Sequence, residues 1–249
     1  MKLAEYADRY HTIRFTRTEG VLEMQLTTRG GEALWGVSER SLHNELGLAC
    51  LDIARDPENK VILLTGTGST FIAGMDPQER PPEPDLKQMW DRIYREGVAL
   101  LENLLAIPVP VIAAVNGPAT IHAEIAVLSD IVLAAEHAEF ADLAHIPGGA
   151  VPGDGVHTVW PMLLGPNRGR YFLLTGQRLS AQEALRLGVV AEVLPAERLM
   201  PRARELAAQL AKLPTRTLRH TRQVLTRHLR SRLHDELELG LAVEALAMV

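Results

Sequence analysis

The feature that most constrains this chain is the alternation of strand-length apolar runs with longer segments of helical period. Residues 60–65 (Lys-Val-Ile-Leu-Leu-Thr) and 109–115 are short and almost wholly apolar, the pattern of buried strands. Between them, residues 87–106 place Met89, Ile93, Gly97, Leu100, Leu101 and Leu104 on one face, which predicts a long amphipathic helix. Residues 11–16 and 21–27 flank Thr18-Glu19-Gly20 and read as a hairpin. Residues 38–55 carry Leu42, Leu46, Ala49, Cys50 and Ile53 at helical spacing, with Ser38 as the N-cap and Pro57 beyond the end. A short helix is expected near 121–128 and a strand at 130–134. The proline-rich stretch 77–85 and the glycine-rich stretch 140–155 read as loops. From residue 167 the pattern is mostly helical, in segments 167–175, 180–187, 197–212, 214–230 and 235–247, with one brief strand at 191–194. This order predicts an α/β core over residues 1–194 and a C-terminal helical region over 195–249.

Composition narrows the function. A chain of 249 residues buries a core without needing a disulfide or a metal to hold it. The single cysteine, Cys50, excludes an intrachain disulfide and a cysteine-based zinc site, and it suits a reducing compartment. A net charge of −5 argues against nucleic acid or an anionic membrane as partner. No uncharged apolar run reaches the roughly 18 residues of a membrane span, and the N-terminus has no signal-peptide core, so a soluble cytoplasmic protein is expected. Arg216, Arg219, Arg227 and Arg230 share a face of the 214–230 segment, with Arg222 near its edge. No aromatic residues interleave for base stacking, so this face is expected to be solvated.

Several familiar chemistries are missing. Thr65-Gly-Thr-Gly-Ser69 follows a strand but lacks both the Gly-Lys-Ser/Thr ending of a phosphate loop and the third glycine of a dinucleotide fold. There is no Gly-x-Ser-x-Gly elbow and no His-Glu-x-x-His pair among the nine histidines. Asp154 and His157, at i,i+3, imitate a metal pair without a third ligand, and no metal or cofactor is expected. The strongest signal lies in residues 121–155, where His122, Glu124, His145 and Asp154 sit in glycine-rich backbone that leaves room for a ligand. Histidine plus aspartate is the minimum for a water-activating base, the carboxylate fixing the imidazole tautomer.

Stretches along nearly the whole chain resemble the crotonase (enoyl-CoA hydratase/isomerase) superfamily. Val61-Ile-Leu-Leu-Thr-Gly-Thr-Gly with Phe71-Ile-Ala-Gly-Met-Asp76 is similar to its strand and Ala-Gly-x-Asp oxyanion segment. Pro110-Val-Ile-Ala-Ala-Val-Asn-Gly117, Ser129-Asp-Ile-Val-Leu-Ala-Ala-Glu136 and Leu174-Thr-Gly-Gln-Arg-Leu-Ser-Ala-Gln-Glu-Ala184 are similar to later elements. The resemblance implies a spiral of stacked ββα turns with a helical C-terminal trimerisation region, in a homotrimer or a homohexamer of paired trimers. Glu124 falls where a hydratase has its first catalytic glutamate, but His145 occupies the second position, and Thr120-Ile-His122 replaces the glycine run.

Those departures resemble the 6-oxocamphor hydrolase branch, whose members hydrolyse β-diketones. Val151-Pro-Gly-Asp-Gly-Val-His157, Asn167-Arg-Gly-Arg-Tyr-Phe-Leu-Leu-Thr-Gly176 and Gly240-Leu-Ala-Val-Glu-Ala-Leu246 carry that likeness. It implies cofactor-independent retro-Claisen cleavage of a cyclic, expectedly bicyclic, β-diketone to a keto acid. His43, His122, His145, Asp154 and Glu244 are then the catalytic residues, with Trp35, His122 and Glu124 binding substrate. In this reading His145 is the general base, Asp154 orients it, and His122 donates to the carbonyl that becomes the enolate. The Ala73-Gly-Met-Asp76 segment leaves a CoA-thioester hydratase or isomerase open as the alternative.

Overall fold

The computed structural model describes residues 1–79 and 86–248, so residues 80–85 of the expected proline-rich loop lie outside the described residues. The chain opens with strands β1 (Ile13–Thr18) and β2 (Val21–Leu26), then helix α1 (Leu42–Arg55), β3 (Val61–Thr65), α2 (Leu86–Ala106) and β4 (Val111–Val115). Next come α3 (Glu124–Val127), β5 (Ile131–Ala135), β6 (Glu139–Phe140), α4 (Val156–Leu164), α5 (Pro166–Thr175), β7 (Leu179–Ser180) and α6 (Ala181–Arg186). Strand β8 (Glu192–Leu194) leads into α7 (Ala196–Ala211), α8 (Thr215–Leu225) and α9 (Arg227–Met248).

The hairpin forms where expected, with its first strand moved to 13–18. Glu19 and Gly20 alone make the turn, at φ +51 and +86. A two-residue left-handed turn matches strand twist, and glycine adopts such a φ without steric cost. The main sheet runs β1-β2-β3-β4-β5-β8, antiparallel only between β1 and β2. One face carries Val61, Leu63, Ile112, Ala114, Leu133 and Ala135 against Leu199, Ala203, Ala207 and Ala211 of α7. The other face joins the larger core with Leu46 and Ile53 of α1 and Leu101 and Leu104 of α2. Burial on both faces is why β3 and β4 read as unbroken apolar runs.

A second, shorter ladder stacks beside this sheet. It runs through the bridges Trp35–Met75, Ile72–Ala119 and Ala119–Phe140, then the β6–β7 pair. Each turn of the chain thus contributes a long strand, a short bridging segment and a helix. The side chains that follow the short segments collect at one place.

Several elements differ from expectation. Helix α1 starts at Leu42 with Ser41 as its N-cap; the N–H and hydroxyl of Ser38 instead donate to Glu79. Helix α4 forms where no helix was expected, beginning just after Gly155 at φ +97. The segment 214–230 breaks at Thr226, whose hydroxyl donates to the Arg222 carbonyl. That break splits the arginine face. Arg222 is buried, its Nε donating to Asp130 Oδ2 at 2.7 Å and its Nη1 to the carbonyls of Leu105 (2.9 Å) and Ile107.

Helix α9 returns across α2 and α4, and its Leu233, Leu237 and Leu241 enter the main core. Its backbone meets the 151–155 loop at one point. A Cβ at Gly153 would lie 2.2 Å from the Gly240 carbonyl oxygen, and the reverse holds at Gly240. Only glycine fits on either side. Among the described residues, no helix is long and apolar enough to cross a membrane.

Candidate active site

The short bridging segments bring the predicted side chains together. Thr120 and Ile121 both donate their N–H to the Ile72 carbonyl, and Leu143 donates to the Thr120 carbonyl. Residues 119–121 and 141–143 therefore run side by side, which sets His122 beside His145, ring centroids 5.6 Å apart at 81°. His122 takes φ +51, a left-handed conformation uncommon for a side chain with a Cβ and often found at functional positions.

The indole of Trp35 lies on His122, ring centroids 3.9 Å apart and planes 27° from parallel. It meets His43 edge-on at 5.5 Å. The Trp35 backbone is gripped by the 73–76 segment: its N–H donates to the Gly74 carbonyl, and its carbonyl accepts from Asp76 N–H. Arg29 clamps the Asp76 carboxylate through two hydrogen bonds, which hold that carboxyl below its usual range.

Carboxylates surround the two imidazoles. His122 Nδ1 hydrogen-bonds Glu124 Oε1 at 2.8 Å, and Asp154 Oδ2 lies 2.9 Å from the same nitrogen. His145 Nδ1 hydrogen-bonds Asp142 Oδ1 at 2.6 Å, while its Nε2 faces Asp154 Oδ1 at 3.2 Å and Glu244 Oε1 at 3.9 Å. Asp154 bridges the two rings. Burial by itself, the largest single influence, would discharge both imidazoles, but the charges and hydrogen bonds of the surrounding carboxylates together outweigh it, Asp154 foremost. His122 is held up to about 10, with Glu124 adding to the effect, and His145 up to about 12, with Asp142 adding. Burial raises Glu124 against the pull of His122. The indole face against His122 also favours its cationic form.

All seven sequence-predicted residues stand in or against this network. His43 is its outermost member, its Nδ1 paired with Glu96 Oε2 at 3.0 Å. The orienting partner on His145 Nδ1 is Asp142, which the sequence did not single out; Asp154 lies on the other nitrogen. Glu96 was missed too. Both are acids within otherwise ordinary helix or loop text, and their only signal is spatial. His157 does not pair with Asp154 as a metal ligand would: its Nε2 faces the Glu236 carbonyl at 3.3 Å. Atoms of His122, Glu124 and Asp154 within 4.8 Å of one another form a donor set of metal-binding type, in which Nδ1 already contacts both oxygens.

Several carboxylate oxygens in the cluster are buried with no aligned hydrogen-bond donor: Glu124 Oε2, Asp142 Oδ2, Asp154 Oδ1 and Glu244 Oε2. Buried lone pairs of this kind seek a donor. Imidazolium N–H groups beside free carboxylate oxygens can polarise a carbonyl and take a proton from water in one place.

Residues 16–245 match the enoyl-CoA hydratase/isomerase family. The chain belongs to that family. Its fold is the crotonase fold, as comparison with solved structures bears out. A β-diketone hydrolase from the cyanobacterium Anabaena sp. PCC 7120, bound to (S)-3-oxocyclohexyl acetic acid, superposes with a TM-score of 0.92. It is 43% identical, over 98% of this chain and 96% of that one. An enoyl-CoA hydratase/isomerase from Mycobacterium paratuberculosis gives a TM-score of 0.85 at 27% identity, covering 95% of this chain and 93% of that one. Among curated relatives, the 1,2-epoxyphenylacetyl-CoA isomerase of Escherichia coli (strain K12) is 33% identical over 230 residues, 90% of this chain and 86% of the relative.

Proposed function

We propose that this crotonase-family protein hydrolyses a carbon–carbon bond of a bicyclic β-diketone by a retro-Claisen reaction. The observation that carries the proposal is Asp154 set between two imidazoles, His122 and His145. A hydratase needs two carboxyl groups to add and remove protons across a double bond. Here one of the two family positions holds a histidine, paired with Asp142 and Asp154. The likeness to the Anabaena hydrolase supports the same reading. A 3-oxocyclohexyl acetic acid is the skeleton left when water opens one acyl bridge of a bicyclic 1,3-diketone, with the ketone retained in the ring.

Water adds to one carbonyl to give a tetrahedral alkoxide. Its collapse breaks the bond to the carbon shared by the two carbonyls and leaves a carboxylic acid. The electron pair passes to that carbon and is stabilised as the enolate of the second carbonyl. An isolated ketone would expel an unstabilised carbanion, so the 1,3-relationship is required. His122, charged and backed by Glu124 and Asp154, donates from Nε2 to the carbonyl that becomes the enolate, with Trp35 fixing its plane. A preorganised donor of this sort contributes about 2.7–4 kcal/mol to transition-state stabilisation. The substrate is neutral and the reaction consumes only water.

A second reading has two observations in its favour. The curated relative at 33% identity acts on a CoA ester, and Glu124 holds the hydratase position. Product analysis with a non-enolisable bicyclic 1,3-diketone, run beside crotonyl-CoA, separates the two. A keto acid should form from the diketone, and its kcat/KM should fall by at least about 10²-fold in His122→Ala. Hydration of crotonyl-CoA with the diketone untouched would overturn the hydrolase reading in favour of Glu124 chemistry.

A further inference from the structure

The backbone of the tryptophan that lies on His122 has a slender hold on the fold. Trp35 belongs to none of the helices or strands and makes one bridge, to Met75. Its N–H donates to the Gly74 carbonyl at 2.8 Å, and its carbonyl accepts from the Asp76 N–H at 2.6 Å. The placing of residues 74–76 therefore sets the placing of the Trp35 backbone. Asp76 is the joint. Its buried carboxylate accepts from Arg29 Nη1 at 2.6 Å, from Arg29 Nη2 at 2.9 Å and from the Gln78 N–H at 3.0 Å. A forked arginine–carboxylate pair fixes direction as well as distance. Arg29 and Trp35 also lie on one loop, closed a second time where the Thr28 hydroxyl accepts from the Leu34 N–H at 2.8 Å.

The turn that carries Arg29 does not need an arginine for its own sake. Thr28 and Gly31 pair across two residues, Arg29 at φ +50 and Gly30 at φ +82. Turns of this hand favour asparagine or glycine, because a Cβ is crowded at positive φ. Arginine is a costly choice at the first of these positions. Its side chain is half exposed, so it does not serve the core. Among the described residues, the hydrogen bonds of its side chain all go to Asp76. Without them the buried carboxylate would keep one donor, the Gln78 N–H. A buried charge so poorly satisfied takes a proton or draws in water, and either shifts the segment that holds Trp35.

We infer that Arg29 is a positioning residue: by clamping Asp76 it seats the Trp35 indole on His122, and so sets the plane of the donor that meets the substrate carbonyl. This rests on the diketone-hydrolase reading, in which His122 donates to the carbonyl that becomes the enolate. Arg29 acts at a distance, through the Asp76 N–H, the Trp35 carbonyl and the indole whose centroid lies 3.9 Å from that of the imidazole. It transfers no atom. A misplacement of about 1 Å at a reacting group can cost about 10²-fold in rate. The charge on the enolate oxygen develops only in the transition state, so the loss falls on kcat rather than on KM.

The test separates the turn from the clamp. Arg29→Asn supplies a residue that such a turn prefers and removes the fork, while Arg29→Lys keeps the charge without the fork. Two readouts are taken: keto-acid formation from a bicyclic 1,3-diketone, and the NMR signals of the His122 ring, which the indole displaces by its ring current. Trp35→Leu marks where those signals fall with no indole present. Arg29→Asn should fold by circular dichroism and lose more than about tenfold in kcat, with KM within about threefold of wild type. Its His122 signals should move toward their place in Trp35→Leu. Arg29→Lys should lie between wild type and Arg29→Asn in both readouts. A smaller loss of kcat in Arg29→Asn, or a loss carried by KM, overturns the inference. So does a lower kcat with the His122 signals unmoved, since the clamp would then act on something other than Trp35. Should Arg29→Asn fail to fold, Arg29→Lys decides, and wild-type values in either readout overturn the inference. No keto acid from wild type would overturn the hydrolase reading, while displaced His122 signals in Arg29→Asn would still support the clamp.

Discussion

At the scale of single residues, the site turns on which carboxylate faces which nitrogen. His122, His145 and Asp154 were legible because two histidines and an aspartate in glycine-rich sequence are unusual. Their pairing was not. Asp142 sits in the plain stretch Phe140-Ala-Asp-Leu-Ala-His145, and only the run of 141–143 beside 119–121 shows that it meets His145 Nδ1. Asp142→Asn keeps the shape and removes the charge, so His145 should lose its proton at a lower pH than about 12. Titration of the His145 ring by NMR should show that drop, with kcat/KM down about 10–100-fold, the worth of a hydrogen bond between charged groups. An unchanged titration would mean that Asp154 alone holds the charge.

Among elements, β3, β4 and α2 could be read because each buries a long apolar face and little else competes. Helix α4 could not. Pro152, Gly153 and Gly155 precede it and Pro161 lies inside it, so its sequence is punctuated like a loop although tertiary packing completes it. The arginine face of 214–230 misled in the opposite direction, since helical spacing cannot tell a solvated arginine from Arg222. That side chain ties α8 to Asp130 before β5 and to the end of α2, and Asp130 Oδ2 also accepts the Val111 N–H. Removing one partner of a buried ion pair leaves the other uncompensated. Arg222→Ala should therefore lower the unfolding free energy by about 3–5 kcal/mol, measured by chemical denaturation. A loss under about 1 kcal/mol would show the pair to be no stronger than a surface one.

For the molecule as a whole, the α/β core followed from the alternation of apolar runs, and the spiral of long and short strands from the resemblance to the family. What its outer helices cover did not. Met162, Leu163, Tyr171 and Leu174 lie exposed on α4 and α5, and Leu239, Val243 and Leu246 on α9. Large apolar side chains left exposed together are commonly interface residues. We propose a homotrimer or a pair of trimers, so light scattering should give three or six times the 27.4 kDa chain mass. A monomer would leave these faces to another partner. The wide spacing of the site along the chain bears on how the enzyme comes into being. Trp35 comes before the second turn of the spiral, and Glu244 arrives only with the last helix, seated by a contact that no side chain can replace. Pairings this distant form late in folding. A chain with its sheet complete and its tryptophans already packed would still be inert, and turnover would return last in a refolding experiment, when α9 locks against the Asp154 loop.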